Sequence, residues 1–253
     1  TNVVFPEVSV ITNIGIDHTQ FLGNTFSEIA TEKAGIIKNN TPVVIGETQI
    51  ETKAIFIDKA NEMEAAISFA DESIQSQFQT DLKGNYQEKN VKTAVASLEC
   101  LQEMGWNLTE ENLTVGLLNV VKNTGLLGRW QTLNESPRII CDTGHNAEGI
   151  KEIVAQLNEL NYNRLHFVLG VVNDKSIDKI LELLPKDAVY YLCQANIPRA
   201  LDVDELELKF KKLGKKYSKC GSVKNALQEA KNIAKDDDLI FVGGSTFVVA
   251  EVL

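Results

Sequence analysis

Cysteine is scarce in this 253-residue chain: Cys100, Cys141, Cys193 and Cys220 are all there is, and the closest pair is 27 positions apart. No CxxC pair exists, so zinc ribbons and thioredoxin-type redox motifs are excluded. Cys141 and Cys193 fall inside apolar strand candidates, which reads as reduced thiols of a cytosolic protein rather than disulfides. Proline is equally rare, at five residues, and 43% hydrophobic against 24% charged residues excludes a disordered chain. Positive charge is also short: 25 Lys and Arg face 35 Asp and Glu, a formal net charge of −10. Electrostatics of that sign repel nucleic acid and anionic membranes at long range and leave only local basic pockets open. The sequence holds no apolar run of membrane-spanning length, no basic-then-apolar leader and no GxxxxGK[ST] phosphate cradle. Residue 1 is Thr and strand-like sequence follows almost at once, as expected of a fragment or a processed chain.

What is present is an alternation of strand and helix signals, which predicts an α/β fold with mainly parallel sheets. Strands are expected at Val8–Ile14, Val43–Ile45 and Ala65–Phe69. Helices are expected over 51–64, from Gln87 with Val91, Ala94, Val95 and Leu98 on one face, and over Thr109–Val121. Ile74–Thr80 reads as a connector, and Lys122-Asn123-Thr124-Gly125 as a hinge that divides the chain into domains 1–124 and 125–253. After it the pattern restarts. Strands are predicted at Arg138–Asp142, Leu165–Val172, Ala188–Cys193, Lys216–Lys219 and Leu239–Val242. Helices are predicted at Ala147–Leu160, Ser176–Leu184, Val203–Leu213 and Val223–Ala234, completing a doubly wound, Rossmann-like domain. Asp236-Asp237-Asp238 is expected to be a solvated turn.

Gly15-Ile16-Asp17-His18 ends the first strand, and Lys33 follows His18 by 15 positions. The helix between opens on Thr25-Phe26-Ser27-Glu28, a capping-box pattern. Its apolar stripe is Phe26, Ile29, Ala30, Ala34 and Ile37, and Lys33 falls on the same stripe. Either the lysine stem lies along the core with its ammonium in water, or burial keeps the amine neutral. A neutral amine can take up carbon dioxide as a carbamate, an oxygen ligand suited to magnesium. In the second half, Asp142 stands at a strand's carboxyl end, and Thr143-Gly144-His145-Asn146 turns into a helix. There an Asp suits ribose hydroxyls and a His suits phosphate or a stacked base; equally, it is a polar turn capped by Asn146. Gly128-Arg129-Trp130 places an arginine after the hinge, either for a phosphate or on the surface beside a packed Trp. Gly84-Asn85-Tyr86-Gln87-Glu88-Lys89-Asn90 opens a helix with amides that fit an adenine edge or ordinary capping.

In this order and spacing the motifs resemble the folylpolyglutamate synthase/dihydrofolate synthase branch of the Mur ligase superfamily, from Thr1 to the C-terminus. Thr1-Asn2-Val3-Val4 resembles the segment after that family's glycine-rich motif. Ile11 to His18 with Leu22-Gly23 resembles its magnesium motif, and Glu32-Lys33-Ala34-Gly35-Ile36 the stretch bearing its carbamylated lysine. Gly84 to Asn90 resembles G-x-H-Q-x-x-N with Tyr86 in place of His. Gly128-Arg129 resembles the interdomain arginine, and Asp142 to Asn146 resembles D-G-A-H-N, from which Thr143 and Gly144 depart. Asp174-Lys175, Pro198-Arg199-Ala200 and Gly244-Ser245 resemble later motifs.

The resemblance implies the rear part of a central ATPase domain followed by the Mur ligase C-terminal domain. It implies an ATP-dependent amide ligase that adds L-glutamate to dihydropteroate or a reduced folate through an acyl phosphate. By it, His18 and Lys33 are catalytic and hold magnesium; Asn90, Arg129, Asp142 and His145 hold ATP; Ser245 serves the amino-acid pocket. It implies a cytoplasmic monomer, inactive as this fragment alone. A peptidoglycan-precursor Mur ligase and a non-catalytic nucleotide-binding or interaction module are the other readings; the Glu32-Lys33-Ala34-Gly35 form and the Asp142-to-Asn146 motif favour the folate branch over the former, and the absent phosphate cradle favours the latter.

Overall fold

The computed structural model describes residues 3–16, 22–173 and 177–253, which group into two compact units. The first comprises 1–81 and 86–124, and the second 82–85 and 125–253. Elements are numbered among the described residues.

The first unit is built on three parallel strands, β1 (Ser9–Ile11), β2 (Val43–Ile45) and β3 (Ile67–Phe69), in the order β1-β2-β3. β2 lies in the middle and is buried throughout, as an uninterrupted Val-Val-Ile run requires. Helices α1 (Phe26–Ala34) and α2 (Ile50–Glu62) join the strands and pack Ile29, Ala30, Phe56 and Ala60 against Ile11, Val43 and Ile45. The capping box is present: Thr25 Oγ1 accepts the Glu28 N–H at 3.2 Å, and Glu28 Oε2 accepts the Thr25 N–H at 3.1 Å. Four-residue α3 (Ala70–Ser73), α4 (Gln87–Glu103), α5 (Glu110–Leu118) and α6 (Val120–Thr124) complete the unit. α4 buries Val91 and Val95 as expected, but Thr93 and Ala96 lie inward while Ala94 is exposed. The helix expected over 109–121 stops at Leu118, where the Asn119 side chain donates to the Val115 carbonyl.

The second unit carries a six-stranded sheet in the order β4-β5-β9-β6-β7-β8. These strands are β4 (Gln131–Glu135), β5 (Arg138–Cys141), β6 (Leu165–Leu169), β7 (Val189–Gln194), β8 (Lys216–Ser222) and β9 (Leu239–Gly243). All neighbours pair in parallel except the antiparallel edge strand β4, whose polar sequence gave no strand signal. Helices α7 (Ala147–Glu159), α8 (Ile177–Leu183) and α9 (Val203–Leu213) bury Ile150, Ile153, Ile180, Leu206 and Phe210 with Phe167, Tyr190 and Phe241 in one core. Helices α10 (Val223–Ile233) and α11 (Thr246–Ala250) bury Ala226, Ala230, Val248 and Val249 in a second core with Val168, Ile240 and Val242. The sheet is thereby sandwiched, as its apolar strands demand. Cys141 and Cys193 are buried free thiols inside it, and burial pushes the Cys141 thiol up to about 12.

The aspartate turn is not wholly solvated. Asp238 is 4% exposed, and its carboxylate accepts the Lys235 N–H at 2.9 Å and faces His166 Nε2 at 3.3 Å. Strand β9 starts one residue later, so Asp238 is drawn in with it, while Asp236 and Asp237 stay outside.

Candidate functional site

At the carboxyl edge of the second sheet, neighbours β5 and β9 send their chains to opposite faces, β5 into α7 and β9 into α11. Such a topological switch point is where open α/β sheets hold ligands. Asp142 closes β5 and is 2% exposed. Its Oδ2 accepts the Trp130 N–H at 2.7 Å and its Oδ1 accepts the Gly144 N–H at 2.8 Å. The Thr143 N–H donates to the Gly128 carbonyl at 3.0 Å, and the Gly128 N–H donates to Gln131 Oε1 at 2.8 Å. These bonds stitch the Gly128–Trp130 loop to the Asp142–Gly144 turn.

Half-buried Arg129 sits between two left-handed residues, Gly128 at φ 72° and Trp130 at φ 46°. Glycine is needed at 128, since a Cβ there would lie 2.9 Å from both Thr143 and Val249 side-chain carbons. Trp130 adopts a conformation unfavourable to any bulky residue. The charge-assisted bond to Asp142 and burial of its ring to 4% exposure hold it there. Asp142 is thus the anchor of the arginine loop, a role its strand-end position alone did not reveal.

Asn146 caps α7, its Oδ1 accepting the Gly149 N–H at 2.8 Å. His145 is exposed, with Nδ1 3.2 Å from the Thr143 carbonyl oxygen, so the proton belongs on Nδ1 and Nε2 is the acceptor in a neutral ring. Ser245 is 2% exposed and caps α11 by accepting the Phe247 N–H at 3.2 Å. Its strand lies directly beside β5: a Cβ on Gly243 would be 3.1 Å from the Asp142 carbonyl oxygen. The structure therefore brings Arg129, Asp142, His145 and Ser245 to one sheet edge. An arginine-bearing loop tied to the turn that opens a 13-residue helix is a setting that suits an anion. This donor set fits the phosphates of a nucleotide.

In the first unit, Asn90 lies in the first turn of α4, exposed, and donates from Nδ2 to Gln87 Oε1 at 2.9 Å. The neighbouring Lys89 Nζ pairs with Glu47 at 3.0 Å, at the carboxyl end of β2. Lys33 requires a correction. Ile29, Ala30 and Ala34 are buried, but Lys33 is exposed in the last turn of α1. The helix ends at Ala34, which leaves Lys33 in its final turn. The described residues do not supply the desolvation that a buried lysine would have had. His18 and Asp17, with Asp174 and Lys175, lie outside the described residues. Among the described residues no group of three or more His, Cys, Asp and Glu is placed to hold a metal ion.

The sequence reading missed Gln156. It is 7% exposed on the buried face of α7; its Oε1 accepts the Asn85 N–H at 2.8 Å and its Nε2 donates to the Lys83 carbonyl at 2.9 Å. The signal was available: Gln156 falls three residues after Ile153 and beside Leu157, an amide on an apolar stripe.

Residues 128–246 match the Mur ligase, glutamate ligase domain family. Over 273 residues the chain is 29% identical to the dihydrofolate synthase/folylpolyglutamate synthase of Escherichia coli K12, covering 100% of this chain and 61% of that protein. Over 276 residues it is 28% identical to a probable bifunctional folylpolyglutamate synthase/dihydropteroate synthase of Haloferax volcanii, covering 99% of this chain and 32% of that protein. It is similar to the solved structure of E. coli FolC in complex with DHPP and ADP, with a TM-score of 0.83 and 28% identity over 99% of this chain and 61% of that one. The chain thus spans between about a third and three fifths of the proteins it resembles.

Proposed function

We propose that this chain, which belongs to the folylpolyglutamate/dihydrofolate synthase branch of the Mur ligases, supplies nucleotide-binding machinery to an ATP-dependent amide ligase. The whole protein joins L-glutamate to dihydropteroate or a reduced folate. The observation that carries the reading is the stitched loop pair at the β5/β9 edge, where Asp142 holds the Arg129 loop against the N-terminal turn of α7.

In this reading Arg129 binds phosphate oxygens with a two-pronged guanidinium, and the α7 N-terminus adds its partial positive charge. His145 offers a ring for the base or phosphate, and Asn90 offers an amide. Ser245 belongs to the amino-acid pocket. His18 and Lys33 are assigned to magnesium by motif resemblance, and a bound magnesium ion would neutralise phosphate charge. Residues 1–124 form part of the ATP-binding domain and 125–253 its C-terminal partner domain, in a monomeric cytoplasmic enzyme. The folate-type carboxylate attacks the γ-phosphorus and ADP departs. The glutamate amine then attacks the acyl carbon, loses its proton, and inorganic phosphate leaves. The protein's contribution is alignment and charge neutralisation.

The test is ADP release by the intact protein that contains this chain. Release should require both glutamate and dihydropteroate or tetrahydrofolate, and Lys33→Ala should reduce it at least a hundredfold with the fold retained, because an exposed Ala suits a helix. ADP release indifferent to both co-substrates, or near-normal turnover by Lys33→Ala, would sink the respective assignment. The 253 residues alone should not turn over.

A further inference from the structure

Gln49 occupies the N-cap position of α2, yet its side chain caps nothing in that helix. Ser, Thr, Asp or Asn is the residue chemistry such a position calls for. The Gln49 amide instead reaches across to β1's exit: Oε1 accepts the Ile14 N–H at 2.7 Å, and Nε2 donates to the Ile14 carbonyl at 2.9 Å. A carboxamide presents the same donor and acceptor as a peptide group. One side chain therefore replaces the strand neighbour that Ile14 lacks, three residues after β1 has ended.

The turn carrying Gln49 is itself locked to that exit. The Gly46 N–H donates to the Ile11 carbonyl at 2.8 Å, and a Cβ at Gly46 would be driven into the Thr12 carbonyl oxygen. Thr48 is tied on the far side, donating from its N–H and hydroxyl to Asp71 at 2.9 and 2.8 Å. The Ile14 side chain is 2% exposed, so its core packing and the clasp on its backbone fix one residue from two directions. In sequence, Gly15 and Ile16 follow and lead to Asp17 and His18, and the ligase reading assigns His18 to magnesium by motif resemblance.

We propose that Gln49 is a positioning residue for the reaction, its amide clasping the Ile14 backbone so that the chain leaves the sheet at a fixed point. The assignment rests on the ligase reading. It predicts that the clasp governs the chemical step more than nucleotide affinity, because the clasped segment is distinct from the Arg129 loop.

The experiment uses the intact protein and Gln49→Ala, with Thr48→Val as a matched variant that cuts a different bond of the same turn. Gln49→Ala should lower kcat at least tenfold, leave ADP affinity by calorimetry within twofold, and speed hydrogen exchange at Ile14 while the β2 amides are unchanged. Thr48→Val should keep kcat. Gln49→Glu, which retains the acceptor for the Ile14 N–H and loses the donor, should fall between, and it replaces Gln49→Ala if that variant does not fold. Unchanged kcat in Gln49→Ala, or an equal loss of kcat in Thr48→Val, would overturn the assignment as mere structural support. An unsubstituted protein with no glutamate-dependent turnover overturns the ligase reading itself, whatever the exchange data say about the clasp.

Discussion

Asp142 shows how much of a site can rest on one side chain. Both of its oxygens are engaged by backbone N–H groups, one of which belongs to a left-handed Trp130. Asp142→Asn puts an NH2 group where one acceptor was, so one buried donor loses its partner. That costs about 1–3 kcal/mol. Releasing the Arg129 loop should also weaken ADP binding about tenfold, converting to about 1.4 kcal/mol. Arg129→Ala should weaken ADP binding without the stability loss, and calorimetry combined with denaturant unfolding separates the two. His166 is the second telling residue. It is fully buried, with Nδ1 accepting from the Tyr191 hydroxyl at 2.8 Å and Nε2 donating to Asp238 at 3.3 Å. Burial lowers its pKa despite the Asp238 contact that raises it. The unfolded state therefore binds the extra proton first as pH falls through about 6.5, so stability drops from there toward the lower folded value. Asp238 is also held below its usual value: burial opposes this, but the Lys235 N–H and His166 prevail, adding a further loss only at lower pH, below about 4. Melting temperature should thus decline between pH 7 and 5, and His166→Gln should flatten that decline. An equally steep profile in the variant would refute this origin.

Elements with strong local punctuation were legible, and those without it were not. α9 matches the expected Val203–Leu213, because Asp202 caps its start and Gly214 ends it at φ 64°. The Thr25/Glu28 box fixed the start of α1 equally well. Thr25→Ala should cost about 1 kcal/mol in the first unit, measurable by denaturant midpoint; no change would mean that packing alone sets the start. β4 escaped because an antiparallel edge strand need bury only part of one face, and Gln131-Thr132-Leu133-Asn134-Glu135 carries one large apolar residue. Lys33 was misplaced for a related reason. Periodicity reports the direction a side chain leaves the helix, not whether another element covers that direction. The site was half legible: Asp142 and His145 were placed by strand-end logic, Arg129 by its position after the hinge and Ser245 by motif resemblance alone, but Asp142's anchoring of a loop 12 residues earlier depends on tertiary contact. Gln49 offered no signal, since its partner is 35 residues away.

At the scale of the molecule, the second unit does not coincide with one stretch of sequence. Leu82–Asn85 groups with it, clasped by Gln156 through the Asn85 N–H and Lys83 carbonyl, while Asn85 Nδ2 donates to Glu159 at 2.8 Å. The 125–253 stretch nonetheless holds the complete six-stranded sheet and both of its cores, so expressed alone it should unfold cooperatively. The clasp makes the effect of Gln156→Leu depend on context. In the 253-residue chain the substitution strands an amide N–H and a carbonyl that had partners, and should cost about 1–3 kcal/mol. In the 125–253 fragment the strap is absent, water reaches the amide, and replacing it with Leu on an apolar stripe should be neutral or stabilising. Unfolding can be followed by Trp130, which is 4% exposed in this unit, in a Trp106→Phe background that removes the other tryptophan. A cost that is the same in chain and fragment would mean that Gln156 serves α7 alone, and that 82–85 merely lies nearby.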